Sequence, residues 1–352
     1  MAERNRARAR SGYRRARRLR SDRRGVVAVV GTLLALLVFF ALFGIFLTQY
    51  VPLWMEENES QLSNQLQTSI STLKSGIDDQ YLLGSIPSYS VPFQVSSDSV
   101  PLLAQPTQAT LSFLKGCPDG FYVTNSSPVN IGSCDFERMT FTTGTGGSGS
   151  ENHPYNQTAA TNYLDISVPN RYFTPVDYFF ENDGFAAAQS SGREWMVVPP
   201  PFNVSRTTGN LSVQGSLLVL LGNESTYTGI GSKDLTSHLS ARSNVSSVGR
   251  FLSTTGLPRS FNVTLTIGVH DVCAWYNFLY NETKSAFGGL TSTSLWKLTG
   301  KGSSGAVALP PTINVCETSI TESYDLTLTI YNVNYAVSFI AESAIDFNAG
   351  GL

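Results

Sequence analysis

The sequence predicts a mainly β protein: a single N-terminal transmembrane and stalk α-helix, then an antiparallel β-sandwich ectodomain, either one large body or two subdomains. Three observations predict it. Residues 25–48 read GVVAVVGTLLALLVFFALFGIFLT, with no charged side chain, directly after an arginine-rich arm. Residues 56–79 carry one apolar stripe at helical spacing. From residue 88 onward, apolar and polar residues alternate between turn signals.

The arm, residues 1–24, holds eleven arginines against Glu3 and Asp22. The remaining residues hold thirteen basic side chains against 24 acidic ones. Arginines beside an apolar span retain that side in the cytoplasm, so the N-terminus is expected inside and the C-terminal region outside. The arm also attracts anionic membrane lipid, by about 1 kcal/mol for each arginine near the surface. It reads as a topology and lipid signal, not as a nucleic-acid partner.

The span is assigned to residues 25–49. At about 1.5 Å per residue, a helix of that length crosses a bilayer core of about 30 Å. A cleavable secretory segment would be shorter and would end in small residues. Here Tyr50 and Trp54 follow instead, which suits the headgroup boundary. Pro52 is expected to kink the passage into the next segment.

Residues 50–84 are expected to form a helical stalk. Leu62, Leu66, Ile70, Leu73 and Ile77 recur every three or four residues, a narrow stripe on a polar helix. The stripe packs on the chain's own globular part or serves self-association with a second copy.

The β region follows. Ala109, Leu111 and Phe113 alternate with polar residues, as do Leu164, Ile166 and Val168, and Phe261 to Val269. Leu326, Leu328 and Ile330 continue the pattern. The phase then shifts to Val333, Tyr335, Val337 and Phe339, with a turn or bulge at 332–334. Asp119-Gly120 and Asp183-Gly184 are hairpin turn signals. Residues 142–162 lack periodicity and read as a long exposed loop. Pro199-Pro200-Pro201 reads as a stiff joint. If two subdomains exist, they are residues 85–200 and 201–352.

Cys117, Cys134, Cys273 and Cys316 are an even set in an exported chain and are expected as disulfides. Four cysteines allow three pairings; the sequence-local one, Cys117–Cys134 with Cys273–Cys316, is expected. N-x-S/T sequons at Asn58, Asn125, Asn156, Asn203, Asn210, Asn223, Asn244, Asn262 and Asn281 are candidate N-glycosylation sites.

No catalytic set, metal site or cofactor is expected. The chain has three histidines, His153, His238 and His270. His270-Asp271 would need a nucleophile that nothing nominates. Ser71-x-x-Lys74 and Ser294-x-x-Lys297 match a serine acyltransferase pattern, but S-D-N and K-T-G companions are absent. Glu181-Asn182-Asp183-Gly184 offers oxygens but lacks calcium-loop spacing and reads as a turn. Trp195, Trp275 and Trp296 read as core aromatics.

Arg23-Arg24-Gly25, the Val29-Val30-Gly31 run in an apolar helix, Pro52 and the polar stalk together resemble the N-terminus of archaeal type IV pilin-like proteins. NRYFTPVDYFFENDGF, GNLSVQGSLLVLLGNESTYTGIGSKDL and FNVTLTIGVHDVCAWYNFL are similar to segments of haloarchaeal-type exported proteins with such an N-terminus. The resemblance implies a prepilin-type cleavage between Gly25 and Val26. The expected function is a non-enzymatic cell-surface protein with a pilin-like or envelope-anchored, structural or adhesive ectodomain. Its partners would be membrane lipids, other copies, and other surface proteins or glycans. A ligand-binding sensor or receptor ectodomain is the alternative, and a membrane-anchored hydrolase the third.

Overall fold

The computed structural model describes residues 27–83, 88–100, 104–116, 136–142, 155–207, 210–242, 246–248, 251–252, 258–302, 305–307 and 324–347. The chain divides into two compact units, residues 1–56 with 100–105, and residues 57–99 with 106–352.

In the first unit, helix α1 covers residues 27–45. A π-helical turn, Phe46–Tyr50, joins it to helix α2, Val51–Leu83. Together they make one helical run long and apolar enough to cross a membrane. The side chains of Val27, Leu37, Phe39 and Leu42 are more than half exposed. Phe46 packs on Tyr50 and Trp54, four and eight residues on. The Val51 N–H bonds to Phe46 O, five residues back. Pro52 brings no N–H of its own, and the chain meets that loss with a π turn, a common response to a local break in the hydrogen-bond ladder.

In the second unit, three six-stranded sheets and a short pair are described. The first has the order β1 (Ser88–Gln94), β12 (Ser232–Arg242), β20 (Tyr335–Phe347), β10 (Asn210–Leu221) and β9 (Asn203–Thr207), with β13 (Ser246–Val248) also on β20. The second runs β11 (Ser225–Thr228), β2 (Thr110–Leu114), β5 (Tyr163–Val168), β6 (Val176–Glu181), β7 (Gly184–Gln189) and β8 (Glu194–Val198). The third runs β18 (Gly305–Val307), β17 (Trp296–Gly302), β19 (Tyr324–Val333), β16 (Phe261–Val269), β3 (Phe136–Thr142) and β4 (Tyr155–Ala160). Strands β14 (Phe251–Leu252) and β15 (Pro258–Arg259) form the pair. The described pairings are antiparallel except β10 with β20.

Two apolar cores form. One collects Leu62, Leu66, Ile70, Leu73 and Ile77 of α2 with Phe93, Leu111, Phe113, Leu164, Ile166, Phe180 and Phe185. The other collects alternate residues of β16 and β19 with Trp275 and Leu279 of helix α3, Val272–Ala286. Strand β10 serves both: Leu211 and Val213 enter one core, Leu218 and Leu220 the other. Odd and even residues of a strand point to opposite faces, so this strand has a core on each side.

The helical stripe therefore packs inside the chain's own β body, each of its five residues at most 1% exposed. Burying five such side chains contributes on the order of 10 kcal/mol of transfer free energy before entropy is counted. Self-association through these five residues is corrected accordingly: they already have a partner surface.

Several other expectations are corrected. Residue 200 is no boundary, because strands from either side of it share each of the three sheets. Pro200 is buried, and a tight turn closes beyond it, Phe202 N–H donating to Pro200 O. Residues 155–160 form β4 rather than loop. Residues 272–286 form helix α3, which period-two alternation did not suggest. At 332–334 the chain passes from the third sheet to the first, with Asn332 in left-handed backbone at φ 58. After that turn Ala336 is buried and Tyr335 is 39% exposed, while farther along the strand Ser343 and Ile345 are buried; the side chains of Val337 and Phe339 fall outside the described residues.

Candidate functional site

The turn between β6 and β7, Glu181-Asn182-Asp183-Gly184, is the centre of the polar structure. Asn182 and Asp183 have φ of 47° and 62°. Two left-handed residues are what a tight hairpin requires, and Asn and Asp tolerate them. Such turns usually face water. Here Glu181, Asn182 and Asp183 are all fully buried. A Cβ on Gly184 would lie 3.0 Å from the Trp275 ring and 3.1 Å from Pro200, so the turn accepts little more than hydrogen at that position.

Burial forces the polar atoms of the turn to find protein partners. Oε2 of Glu181 accepts the His270 backbone N–H at 3.0 Å and lies 2.9 Å from Nδ1 of that ring. Oε1 accepts the Trp275 indole N–H at 2.9 Å. Asn182 Nδ2 donates to Gly268 O at 2.7 Å. Oδ2 of Asp183 accepts the Ser216 hydroxyl at 2.8 Å.

The other oxygen of Asp183 forms an ion pair with Lys74 Nζ at 2.9 Å. Lys74 is 1% exposed and also pairs with Asp78, one helical turn along α2. Burial alone would lower the lysine pKa, but Asp183 and Asp78 raise it, and the net direction is upward. Burial pushes the Asp183 carboxyl up to about 6, with Lys74 opposing and Asp78 reinforcing. One buried cation thus stands between two carboxylates.

The far side of the turn is a second cluster. His270 lies against the rings of Tyr163, centroids 4.4 Å apart, and Phe179, 5.5 Å apart and nearly parallel. Asp271 follows it at the start of α3 without a side-chain cap bond. Glu194 of β8 reaches across instead, accepting the Cys273 N–H at 2.8 Å. Its carboxyl is raised, by burial first and then by Glu181. Asp271 is pushed well above the usual carboxylate range, by burial and then by Glu181 and Glu194, with His270 opposing. Asp165 is raised to about 6 by burial and by Asp177, again against His270.

Chemically the arrangement holds elements together. Glu181 has two donors on Oε1 and Oε2 from His270 and Trp275, so it has no lone oxygen aimed at a cation. Among the described residues, no group of three or more His, Cys, Asp or Glu is placed to hold a metal ion. His270 pairs with Glu181. Ser71 donates its hydroxyl to Gln67 O within α2, and Lys74 is taken by the two aspartates. Trp275 and Trp296 are core residues, and Trp195 packs at a core edge.

A further buried carboxylate fixes the start of the helix within this unit. Glu59 accepts the backbone N–H groups of Arg171, Tyr172 and Phe173 at 3.1, 2.7 and 2.6 Å, and the Thr107 hydroxyl. At the other end Gln80 exchanges hydrogen bonds with Ser237. Glu59, Lys74 and Gln80 all sit on the stripe face of α2, and each is buried and partnered. The opposite face borders an open groove of about 680 Å³ lined by Asn64, Gln67, Thr68, Ser71, Ser75 and Asp79 among others.

Of the sequons, Asn203, Asn210, Asn223 and Asn281 are exposed. Asn58 is half-buried and donates to Asp98 O, and Asn262 accepts the Asn332 N–H. Asn156 lies in β4, while Asn125 and Asn244 fall outside the described residues. Cys273 is disulfide-bonded; Cys117, Cys134 and Cys316 fall outside the described residues, as do Gly25, Val26 and His153. Comparison of the chain with protein families, with curated proteins and with solved structures finds no match.

Proposed function

We propose that this chain is a single-pass cell-surface protein with a cytoplasmic N-terminus and an exported β domain, acting as a structural or adhesive, pilin-like subunit without catalytic activity of its own. One observation carries the reading: the helical run that supplies the uncharged apolar span continues into α2, whose stripe is part of a β core. The polar centre supports the same reading, since the carboxylates of Glu59, Glu181 and Asp183 hold backbone, indole, hydroxyl and lysine groups. The arginines of the arm favour the cytoplasmic side.

The test is fractionation combined with protease protection. The protein is expected in membranes after high-pH washing. External protease should digest the β domain of intact cells while sparing an N-terminal tag. Release by the wash, or digestion of the tag from outside, would refute the reading.

A further inference from the structure

Lys74 and Asp183 are not an ordinary ion pair. A surface pair has water to stabilise each charge; here Lys74 is 1% exposed and Asp183 fully buried. Removing two charges from water costs several kcal/mol for each, and their attraction often fails to offset this. The aspartates hold the Lys74 ammonium, but burial raises the Asp183 carboxyl, so a proton passed from one to the other gives a neutral amine and a carboxylic acid. An amine and a carboxylic acid in contact are the two reactants of an amide.

The remaining groups are those that the condensation needs. Nζ lies 2.9 Å from Oδ1 of Asp183, one bond from its Cγ. The contact places the amine beside the carbon it would attack, where the reaction needs the two reacting atoms about 3–3.5 Å apart. Oδ2 receives the Ser216 hydroxyl at 2.8 Å, a donor placed where negative charge grows when Cγ becomes tetrahedral. Asp78 contacts Nζ and is 30% exposed, so it touches both the amine and a route to solvent.

We propose that Lys74 and Asp183 are joined in the mature protein by an intramolecular amide between Nζ and Cγ. The ammonium first gives a proton to the Asp183 carboxylate, leaving a neutral amine and acid. The Nζ lone pair attacks Cγ, and one C–O π bond opens onto the oxygen that Ser216 supports. Asp78 takes a proton from the nitrogen and returns it to the departing hydroxyl. The C–O bond breaks, water leaves, and Asp78 ends as it began. Nothing is oxidised or reduced, and no co-reactant is required. The product replaces two buried charges with a neutral amide and leaves the part-exposed Asp78 as the only charge. It ties α2 to the β6–β7 turn covalently.

The experiment is peptide mapping of the full-length protein purified from its own cells. Lys74 is expected to resist trypsin and to appear in a branched peptide with the segment carrying Asp183, lighter than the two separate peptides by one water. Asp78→Asn should slow the reaction about 100-fold, as loss of a positioned proton carrier does, so that freshly made protein shows the two peptides unlinked. Asp183→Asn should give the same branched peptide by loss of ammonia instead of water. Separate peptides, with Lys74 cleaved by trypsin or open to acylation after unfolding, would overturn the proposal and leave a plain ion pair. Wild-type mapping decides this even if a variant does not fold, and the result does not depend on where the protein resides.

Discussion

The indole N–H of Trp275 donates to Oε1 of Glu181 across 94 residues of sequence. It joins helix α3 to the turn that, two residues later, meets α2. Glu181, Asn182 and Asp183 contact in succession His270, Gly268 and Lys74. A four-residue turn therefore connects the core containing the α2 stripe with the core containing α3.

Trp275→Phe tests that link. The ring's bulk is largely kept, but Oε1 of a buried carboxylate keeps only the longer, 3.2 Å bond from the His270 N–H. An unsatisfied buried group costs about 1–3 kcal/mol, and charged groups more. Denaturant unfolding of the detergent-solubilised protein should show a loss of about 3 kcal/mol. A loss within about 0.5 kcal/mol, the range of ordinary surface substitutions, would contradict the assigned role.

Much of this fold was legible in the sequence, and the reasons are specific. Phe261 to Val269 and Leu326 to Ile330 read as half-buried strands because polar and apolar residues alternate at period two, and they pair as β16 with β19. Helix α3 was missed because VCAWYNFLYNETK is rich in β-prone aromatics, although Val272, Trp275, Tyr276, Leu279 and Thr283 are buried at helical spacing. The polar centre was missed for another reason: a turn sequence says nothing about burial. A partial signal existed. Lys74 stands four residues after Ile70, on the stripe face, and Glu59 stands three before Leu62. A charge on an apolar stripe asks for a buried partner, but nothing local says that the partner is Asp183.

The acidic cluster makes stability depend on pH in a stated direction. Asp165 is raised to about 6, Asp271 lies well above the usual range, and Glu194 is raised. A carboxyl with a higher pKa in the folded state binds its proton more tightly there. Its contribution is complete below the unfolded value near 4 and is lost as pH rises through the folded value. Between pH 5 and 7 the thermal midpoint should therefore rise on acidification. Asp165 should account for about 1–2 kcal/mol after allowance for its partial exposure, and Asp165→Asn should flatten the profile. A midpoint that falls between pH 7 and 5 would count against the cluster as drawn.

Gly76 lies in α2, where alanine is ordinarily better by about 1 kcal/mol. Here a Cβ would overlap Cδ1 and Cε1 of Tyr89 and come within 2.7 Å of its Cγ. Cγ lies on the axis about which the ring flips, so a ring flip cannot clear it. Gly76→Ala is expected to destabilise by about 1–3 kcal/mol, the usual result of overpacking. Calorimetry showing a gain in stability would mean that β1 yields at Tyr89.

Cys273 opens helix α3 and is disulfide-bonded. We expect Cys316 as its partner and Cys117–Cys134 as the second bridge, each closing its nearer loop. Reduction should lower stability by about 3–4 kcal/mol per bridge in the chain-entropy account. Non-reducing peptide mapping checks the pairing, and a peptide joining Cys134 to Cys273 would refute it.

The fate of the arm decides between a lasting anchor and a filament subunit. Residues 26–55 contain no charge. Cutting after Gly25 would remove every arginine of the arm and leave an apolar helix free to leave the bilayer and pack among copies of itself. Without the cut, nine net positive charges must stay in the cytoplasm, and the helix remains in the membrane. The α2 stripe gives no help to assembly, because Leu62 to Ile77 are already buried in the chain's own core. Helix–helix contacts in a filament would have to come from the exposed apolar residues 27–54. We expect the anchored form at steady state. N-terminal sequencing of the native protein from the membrane fraction and from sheared filaments separates the outcomes. An intact arm in the membrane supports the anchor; a chain beginning at Val26 and recovered in filaments would replace it with a pilus.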